Sequence, residues 1–307
     1  GCFLFPSPET QVEVAVRDEQ EVSSALMRGV RCTCWNWTVQ LVLFVLTSHV
    51  GFVATQPKAC LRIPRNLGKC RQPCASMALG AGPPNPWATV EAAYDRISAN
   101  FAESRRFPWP FVVKWLGASR RDTLLVAGCG DGRHVQTALD LGFRRIFALD
   151  LSEGMLQAAQ RRLGDSGESV VFLHGDTRSV PLPDESVQDV LSCAVLHHLP
   201  LAESRAALED FRRLLRPGGR LLASCWDPRA KAVTKRGKPA EDGIEAHAYW
   251  VAWRCADGSD VQRWYHLPPL EVRLQSWSEI PGLLLEKVEL DGDNQVFEWR
   301  KLPATGS

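Results

Sequence analysis

Three short clusters in this chain carry residue types and spacings that can do chemistry. Gly128-Cys129-Gly130-Asp131-Gly132 follows the apolar run Leu124–Ala127, Asp150 follows the run Arg145–Leu149, and His174-Gly175-Asp176 follows Val170–Leu173. Glycines let a backbone pass close to a ligand, and a helix opening after them offers free N–H groups. A Gly-x-Gly-x-Gly alone is weak evidence; between a strand and a helix it is stronger. Asp150 lies 18 residues beyond Gly132, where an acid at a strand end can accept both hydroxyls of a ribose. A carboxylate at Asp176 can accept the exocyclic amine of adenine. The three in register predict a site for an adenosyl ligand built on Gly128, Gly130, Gly132, Asp150 and Asp176. A dinucleotide is the competing ligand. The compact glycine spacing, the Asp176 position and the late turn Leu215-Arg216-Pro217-Gly218-Gly219-Arg220 argue against it.

The surrounding elements are those that would hold such a site. Apolar positions at 3.6-residue spacing predict helices over Val90–Phe101 and from Phe111 to Leu116. From Thr123 strands and helices alternate: strand Leu124–Ala127, helix Asp131–Leu141, strand Arg145–Leu149, a helix capped by Ser152 and ending at Leu163, and strands Val170–Leu173 and Asp189–Ser192. Helix Glu203–Leu215 is stopped by Pro217-Gly218-Gly219, and strand Arg220–Cys225 follows. Continuous apolar strands alternating with helices predict an α/β fold, a doubly wound, mostly parallel sheet covered on both faces. Leu283–Leu290 and Gln295–Arg300, around Asp291-Gly292-Asp293-Asn294, predict a terminal β-hairpin. This organisation predicts a domain over residues 87–307 with an insertion at 227–262, after an extension over residues 1–86.

The net charge of +1 gives no global attraction to nucleic acid or membrane. Residues 1–76 carry eight Lys/Arg against five Asp/Glu, and residues 77–307 carry 28 against 30. Six of the ten cysteines precede Met77, and the spacings of Cys32/Cys34 and Cys70/Cys74 fit no strong zinc pattern. No metal site is expected. Residues 37–55 lack charge and approach the length that spans a bilayer. The stretch reads as part of a dispensable, targeting or disordered extension in preference to a membrane anchor. A cytoplasmic protein is expected, with nucleus or organelle open.

The cofactor loop, Asp150, Asp176 and the late Pro-Gly-Gly turn together resemble the class I S-adenosylmethionine-dependent methyltransferases, whose fold is a seven-stranded, Rossmann-like sheet. Further segments narrow the resemblance. Tyr94-Asp95-Arg96-Ile97 with Phe101 and Ser104-Arg105-Arg106-Phe107-Pro108-Trp109-Pro110 is similar to the N-terminal signature of the tRNA wobble-uridine carboxymethyl methyltransferases. Cys193-Ala194-Val195-Leu196-His197-His198-Leu199 is similar to their paired-histidine segment, and Arg263-Trp264-Tyr265-His266 to their Arg-aromatic-Tyr-His motif. The resemblance implies methylation of the carboxylate of 5-carboxymethyluridine, with S-adenosylmethionine as methyl donor. The implied partners are a tRNA anticodon loop and a small zinc-binding activator subunit. Tyr94 and Val195 join the cofactor residues. Arg105, His197 and Arg263 are the implied catalytic residues, and Arg106, Trp109, Tyr265 and His266 the implied contacts to the nucleotide.

A carboxylate is already a nucleophile at neutral pH, so such an enzyme needs alignment and exclusion of water more than a base. Arginine forks suit the orientation of a carboxylate, and aromatic rings the stacking of a flipped base. A run of cations, Arg229, Lys231, Lys235, Arg236 and Lys238, can hold a phosphate backbone or form a solvated loop. The chain departs from the family at Val126, where an acid usually stands two residues before the first glycine. Losing that acid is expected to weaken cofactor binding by about 1–3 kcal/mol, with Asp131 the residue able to compensate. Two other readings stand beside the tRNA enzyme: a small-molecule O- or C-methyltransferase, and an inactive methyltransferase-fold binding module.

Overall fold

Strand β2 (Thr123–Ala127) is buried at every position, which its unbroken apolar sequence demands and which only a central strand of a two-faced sheet can satisfy. Around it the computed structural model describes residues 13–16, 88–105, 107–165, 169–241, 243 and 245–303. Two helices precede the sheet, α1 (Ala88–Ser104) and α2 (Pro110–Gly117). Then follow α3 (Arg133–Asp140), β3 (Arg145–Asp150), α4 (Glu153–Leu163), β4 (Val170–His174) and β5 (Val187–Cys193). After a 3-10 turn (Leu196–His198) come α5 (Leu201–Leu214) and β6 (Leu215–Trp226). The hairpin closes the domain as β10 (Leu283–Asp291) and β11 (Asn294–Lys301), turning on Gly292 at φ 58°.

These strands lie in the order β10-β11-β6-β5-β2-β3-β4. Strands β2 to β6 are mutually parallel, and β10 and β11 antiparallel. This is the seven-stranded, mostly parallel sheet of the sequence reading. An eighth strand, β1 (Glu13–Val16), adds in parallel to the outer side of β10. No strand was expected from the extension; the free edge of β10 offers unpaired backbone groups to any short β-prone segment. The uncharged segment 37–55 and the six early cysteines fall outside the described residues. Among the described residues no helix is long and apolar enough to cross a membrane.

Between β6 and β10 the chain builds a second, three-stranded antiparallel sheet. It follows α6 (Lys231–Arg236) and comprises β7 (Gly237–Pro239), β8 (Ala248–Arg254) and β9 (Asp260–His266). The expected insertion therefore has its own fold, ending at His266. Helix α7 (Leu270–Trp277) then returns the chain to the main core, where Trp277 meets Phe297 and Trp299.

The joint between the two sheets is a buried polar tie. Arg273, on α7 and 1 % exposed, donates to Gln295 Oε1 (2.5 Å), to the carbonyl of His266 at the end of β9 (2.9 Å) and to that of Trp226 at the end of β6 (3.4 Å). Gln295 in turn donates to Asp227 (2.9 Å). Removing the guanidinium would leave several buried acceptors unpaired. Arg273→Ala is therefore expected to lower the free energy of unfolding by about 3 kcal/mol, read from urea denaturation; a loss below about 1 kcal/mol would mean the tie is incidental.

Candidate functional site

The strand order reverses direction between β2 and β5, and a crevice opens there at the carboxyl ends of the strands, where open α/β sheets bind ligands. A cavity of about 360 Å³ fills it. Ala194 leaves β5 in the left-handed region (φ 57°), and the next residue, Val195, lies over Gly128. A Cβ on Gly128 would come within 2.2 Å of Val195 Cγ2, so glycine there is a steric requirement. Gly132 answers a different need. It packs against Ala159 of α4, lies off the cavity, and with φ 81° starts α3 at Arg133, two residues after the expected Asp131.

Asp150 organises the floor. Its carboxylate accepts the N–H of Gly130 (2.7 Å) and of Ser152 (3.0 Å), pinning the glycine loop to the start of α4. Burial raises its pKa to about 6, against the pull of the Ser152, Gly130 and Leu151 N–H groups. Ser152 caps α4 through Met155 N and donates to Asp95 of α1 (2.6 Å), which also accepts from Gly154 N (3.0 Å). Helix α1 is thereby drawn over the cavity, bringing Tyr94 and Phe101 to its rim. Asp176 also lines it. Burial raises its carboxyl, but Arg178, bonded at 2.5–3.0 Å, outweighs that and holds it below its ordinary value.

The opposite wall is aromatic and cationic. His198 accepts from or donates to Tyr94 Oη at Nε2 (2.8 Å) and meets the carbonyl of Trp264 at Nδ1 (2.7 Å). A carbonyl only accepts, so the proton is on Nδ1 and Nε2 takes the Tyr94 hydroxyl. His197 Nδ1 accepts the backbone N–H of Trp226 (2.9 Å), which puts its proton on Nε2. Burial drives both rings neutral, His198 to about 3 and His197 well below its usual range, helped by His198, Arg273 and Arg263. Arg263, 3 % exposed, sits with its guanidinium carbon 5.0 Å from the Trp253 ring centre, 5.2 Å from Tyr265, 5.9 Å from Trp226 and 6.0 Å from Tyr94.

The structure thus brings Tyr94, Arg105, Trp109, Gly128, Gly130, Asp150, Asp176, Val195, His197, Arg263 and Tyr265 to one cavity. Arg106 falls outside the described residues. His266 is a correction: it lies off the cavity, 3.6 Å from Glu245 and stacked on Trp264. Strand alternation explains it, since Arg263 and Tyr265 face one side of β9 and Trp264 and His266 the other. Trp109 does two jobs. It stacks on Phe111 against the core and lines the cavity with Arg133 over its ring at 4.7 Å.

Sequence reasoning missed Trp226, Arg133 and His198, and it placed only His197 of the two histidines at the site. For Trp226 the signal was its position at a strand end beside β5, and for Arg133 its place directly after Gly132. Val126 is a core residue, 2 % exposed and off the cavity. Asp131, the expected stand-in for the missing acid, is buried and paired with Arg162, which also donates to its carbonyl. It is therefore not a free carboxylate.

These features fit an adenosyl cofactor on their own terms. The Gly128–Val195 contact shows a backbone shaped for close approach, and half-buried Asp150 keeps acceptor capacity beyond its two N–H donors. Asp150 must be ionised to accept ribose hydroxyls, and its pKa in the free protein is about 6. Affinity for S-adenosylmethionine should therefore fall as pH drops below about 6 and level off above 7. Calorimetry in buffers of different ionisation enthalpy should detect proton release on binding near pH 6 and none at pH 8; a flat profile would remove Asp150 from the ribose.

A family profile described as a methyltransferase domain matches residues 125–223, from β2 through most of β6. An Encephalitozoon cuniculi protein named as a methyltransferase is 33 % identical over 189 residues, which cover 61 % of this chain and 83 % of that one. The tRNA (carboxymethyluridine(34)-5-O)-methyltransferase of Mus musculus is 32 % identical over 139 residues, 45 % of this chain and 20 % of that longer protein. In fold, the chain matches one from the Haloferax volcanii complex between the Trm112 methyltransferase activator and a methyltransferase. The TM-score is 0.53 at 17 % identity, covering 71 % of this chain and 100 % of that one. With the crevice, the glycine loop and Asp150 in place, the chain belongs to the S-adenosylmethionine-dependent methyltransferases.

Proposed function

We propose that the chain transfers a methyl group to the carboxylate of 5-carboxymethyluridine at the wobble position of tRNA. The observation that carries this reading is Arg263. It is a nearly buried cation on the wall of the cofactor cavity, and it forms no ion pair among the described residues. Burying an uncompensated charge is costly, and here the ring faces around the guanidinium offset part of the cost. A carboxylate entering the cavity supplies the missing partner. The matched mouse protein is named for a carboxymethyluridine, a substrate with that anion.

S-adenosylmethionine, when bound, supplies a methyl group on a cationic sulfur. The chain's own task is then positional. Arg263 orients the carboxylate while leaving one oxygen to face the methyl group. His197 offers its Nε2 proton as a neutral donor to the base. Trp226 and Tyr265, stacked at 4.9 Å with their planes 8° apart, form an aromatic wall for a nucleobase. The carboxylate oxygen would gain a C–O bond as the sulfur–methyl bond breaks and leaves its electron pair on sulfur; no proton moves, which suits a site whose histidines are held neutral.

The activator expected from the resemblance has a surface to meet. Strand β4 is the free edge of the main sheet, and Val170, Val171, Phe172 and Leu173 are only partly covered there. A half-apolar open edge is a template for a further strand. The Haloferax volcanii neighbour is the methyltransferase-fold chain of a complex with such an activator.

Incubating the full chain and a Trm112-type activator with S-adenosylmethionine and tRNA bearing 5-carboxymethyluridine is expected to yield the methyl ester in digested nucleosides, detected by mass spectrometry. Arg263→Lys, which keeps charge but loses the fork, should reduce kcat/KM for the tRNA by about 10- to 100-fold with little change in cofactor affinity. Esterification of a small carboxylic acid but not of the tRNA would overturn the substrate and keep the chemistry.

A further inference from the structure

Arg263 has a second face. On its far side lies another cavity, of about 290 Å³, which shares Arg105, Trp226 and Arg263 with the cofactor cavity and adds Trp253, Arg236 and Arg254. Four arginines border it, and no acid does among the described residues. The insertion builds it by register. Val251 pairs with Arg263 across β8 and β9, so Trp253, two residues along, shares their face. Helix α6 ends on Arg236 and feeds straight into β7, which sets that cation at the mouth.

The cations are unevenly committed. Arg254 pairs with Asp260 (2.9 Å) and donates to the carbonyl of Gly258 (2.6 Å). Arg105, Arg236 and Arg263 form no ion pair among the described residues. Two buried donors on the cavity's residues, Arg263 Nε and Trp253 Nε1, have no hydrogen-bond partner. A hollow lined by arginines, without acids and with unpaired donors, is a site for an anion, and guanidinium forks match phosphate.

We propose that this second cavity seats a backbone phosphodiester of the RNA strand beside the target nucleotide, with Arg236 as its principal entry contact. The proposal rests on the tRNA reading above and assigns it a specific phosphate site. The two cavities share a wall, so a nucleotide whose base enters the first leaves a phosphate at the second. Global charge cannot draw the RNA in, because residues 77–307 carry 28 Lys/Arg against 30 Asp/Glu. The attraction must be local, and Arg105, Arg236 and Arg263, which form no ion pair among the described residues, supply it here. It also separates two roles among the cations expected to touch the backbone, for Arg229 is tied to Asp227 (2.8 Å) while Arg236 faces the hollow.

The test uses the full chain, wild type and Arg236→Ala, with the activator. Binding of tRNA bearing 5-carboxymethyluridine is followed by fluorescence anisotropy across a salt series, and methylation and cofactor affinity are measured beside it. Arg236 is exposed, so the substitution does not challenge folding. Arg236→Ala is expected to weaken tRNA binding and raise KM by about tenfold, and to reduce the slope of log K against log salt by about 0.7, one phosphate contact on a single strand. Cofactor affinity should be unchanged, and Arg236→Lys should keep most of the slope. If the wild type methylates the tRNA and Arg236→Ala leaves slope and KM as they were, the phosphate site is wrong while the substrate stands. A changed cofactor affinity with an unchanged salt slope would also overturn it. A wild type that neither binds nor methylates the tRNA brings down the substrate reading and this proposal together.

Discussion

The carboxylate of Asp150 is the constraint on which the site depends. It is half-buried, yet it must accept from the glycine loop on one side and from the start of α4 on the other. Those two bonds fix the loop between β2 and α3 against the end of β3. Through Ser152 and Asp95 the same network reaches α1, and so decides where Tyr94 and Phe101 close the cavity. The cost is visible in the carboxyl's pKa of about 6. A ligand presenting hydroxyl donors relieves that cost, which couples cofactor binding to the order of the whole floor.

The opposite wall follows a different logic. Neutral histidines, stacked rings and the Arg263 guanidinium make a surface that holds charge without trading protons. Tyr94 links the two walls, bonding His198 while standing on the helix that Asp95 anchors. Arg96 extends the link to the insertion, donating to Ser259 in the turn between β8 and β9 (3.0 Å). The small sheet is therefore coupled to the cofactor side through α1 and to the main sheet through Arg273. A methyl transfer to a carboxylate asks for this combination of a dry, rigid frame and an oriented anion.

The features legible in the sequence were those whose geometry is local. A strand that ends in glycines and opens a helix defines its own turn, and an acid at the next strand end falls beside it because parallel strands run in register. The hairpin at Gly292 and the Ser152 cap are local in the same sense. Where the reading slipped, the deciding contact lay far along the chain. Gly132 answers to Ala159, Asp131 is taken by Arg162, and the Arg-Trp-Tyr-His motif divides because a strand shows alternate residues to opposite sides. Val126 shows the same limit, since its burial among Leu124, Ala148 and Leu191 is a property of the assembled sheet.

By itself the sequence determined the alternation of strands and helices and the cofactor loop with its two strand-end acids, because hydrophobic period and turn chemistry act over a few residues; the kind of transferase came from the resemblance of those motifs to a known family. Only the tertiary structure decided which cations form no ion pair among the described residues, which histidine nitrogens carry the protons, and that Arg263 lines two cavities. Those properties depend on what meets a side chain across 29 to 169 positions of chain, as with Trp226 on His197 or Tyr94 near Arg263, and no local pattern encodes that meeting.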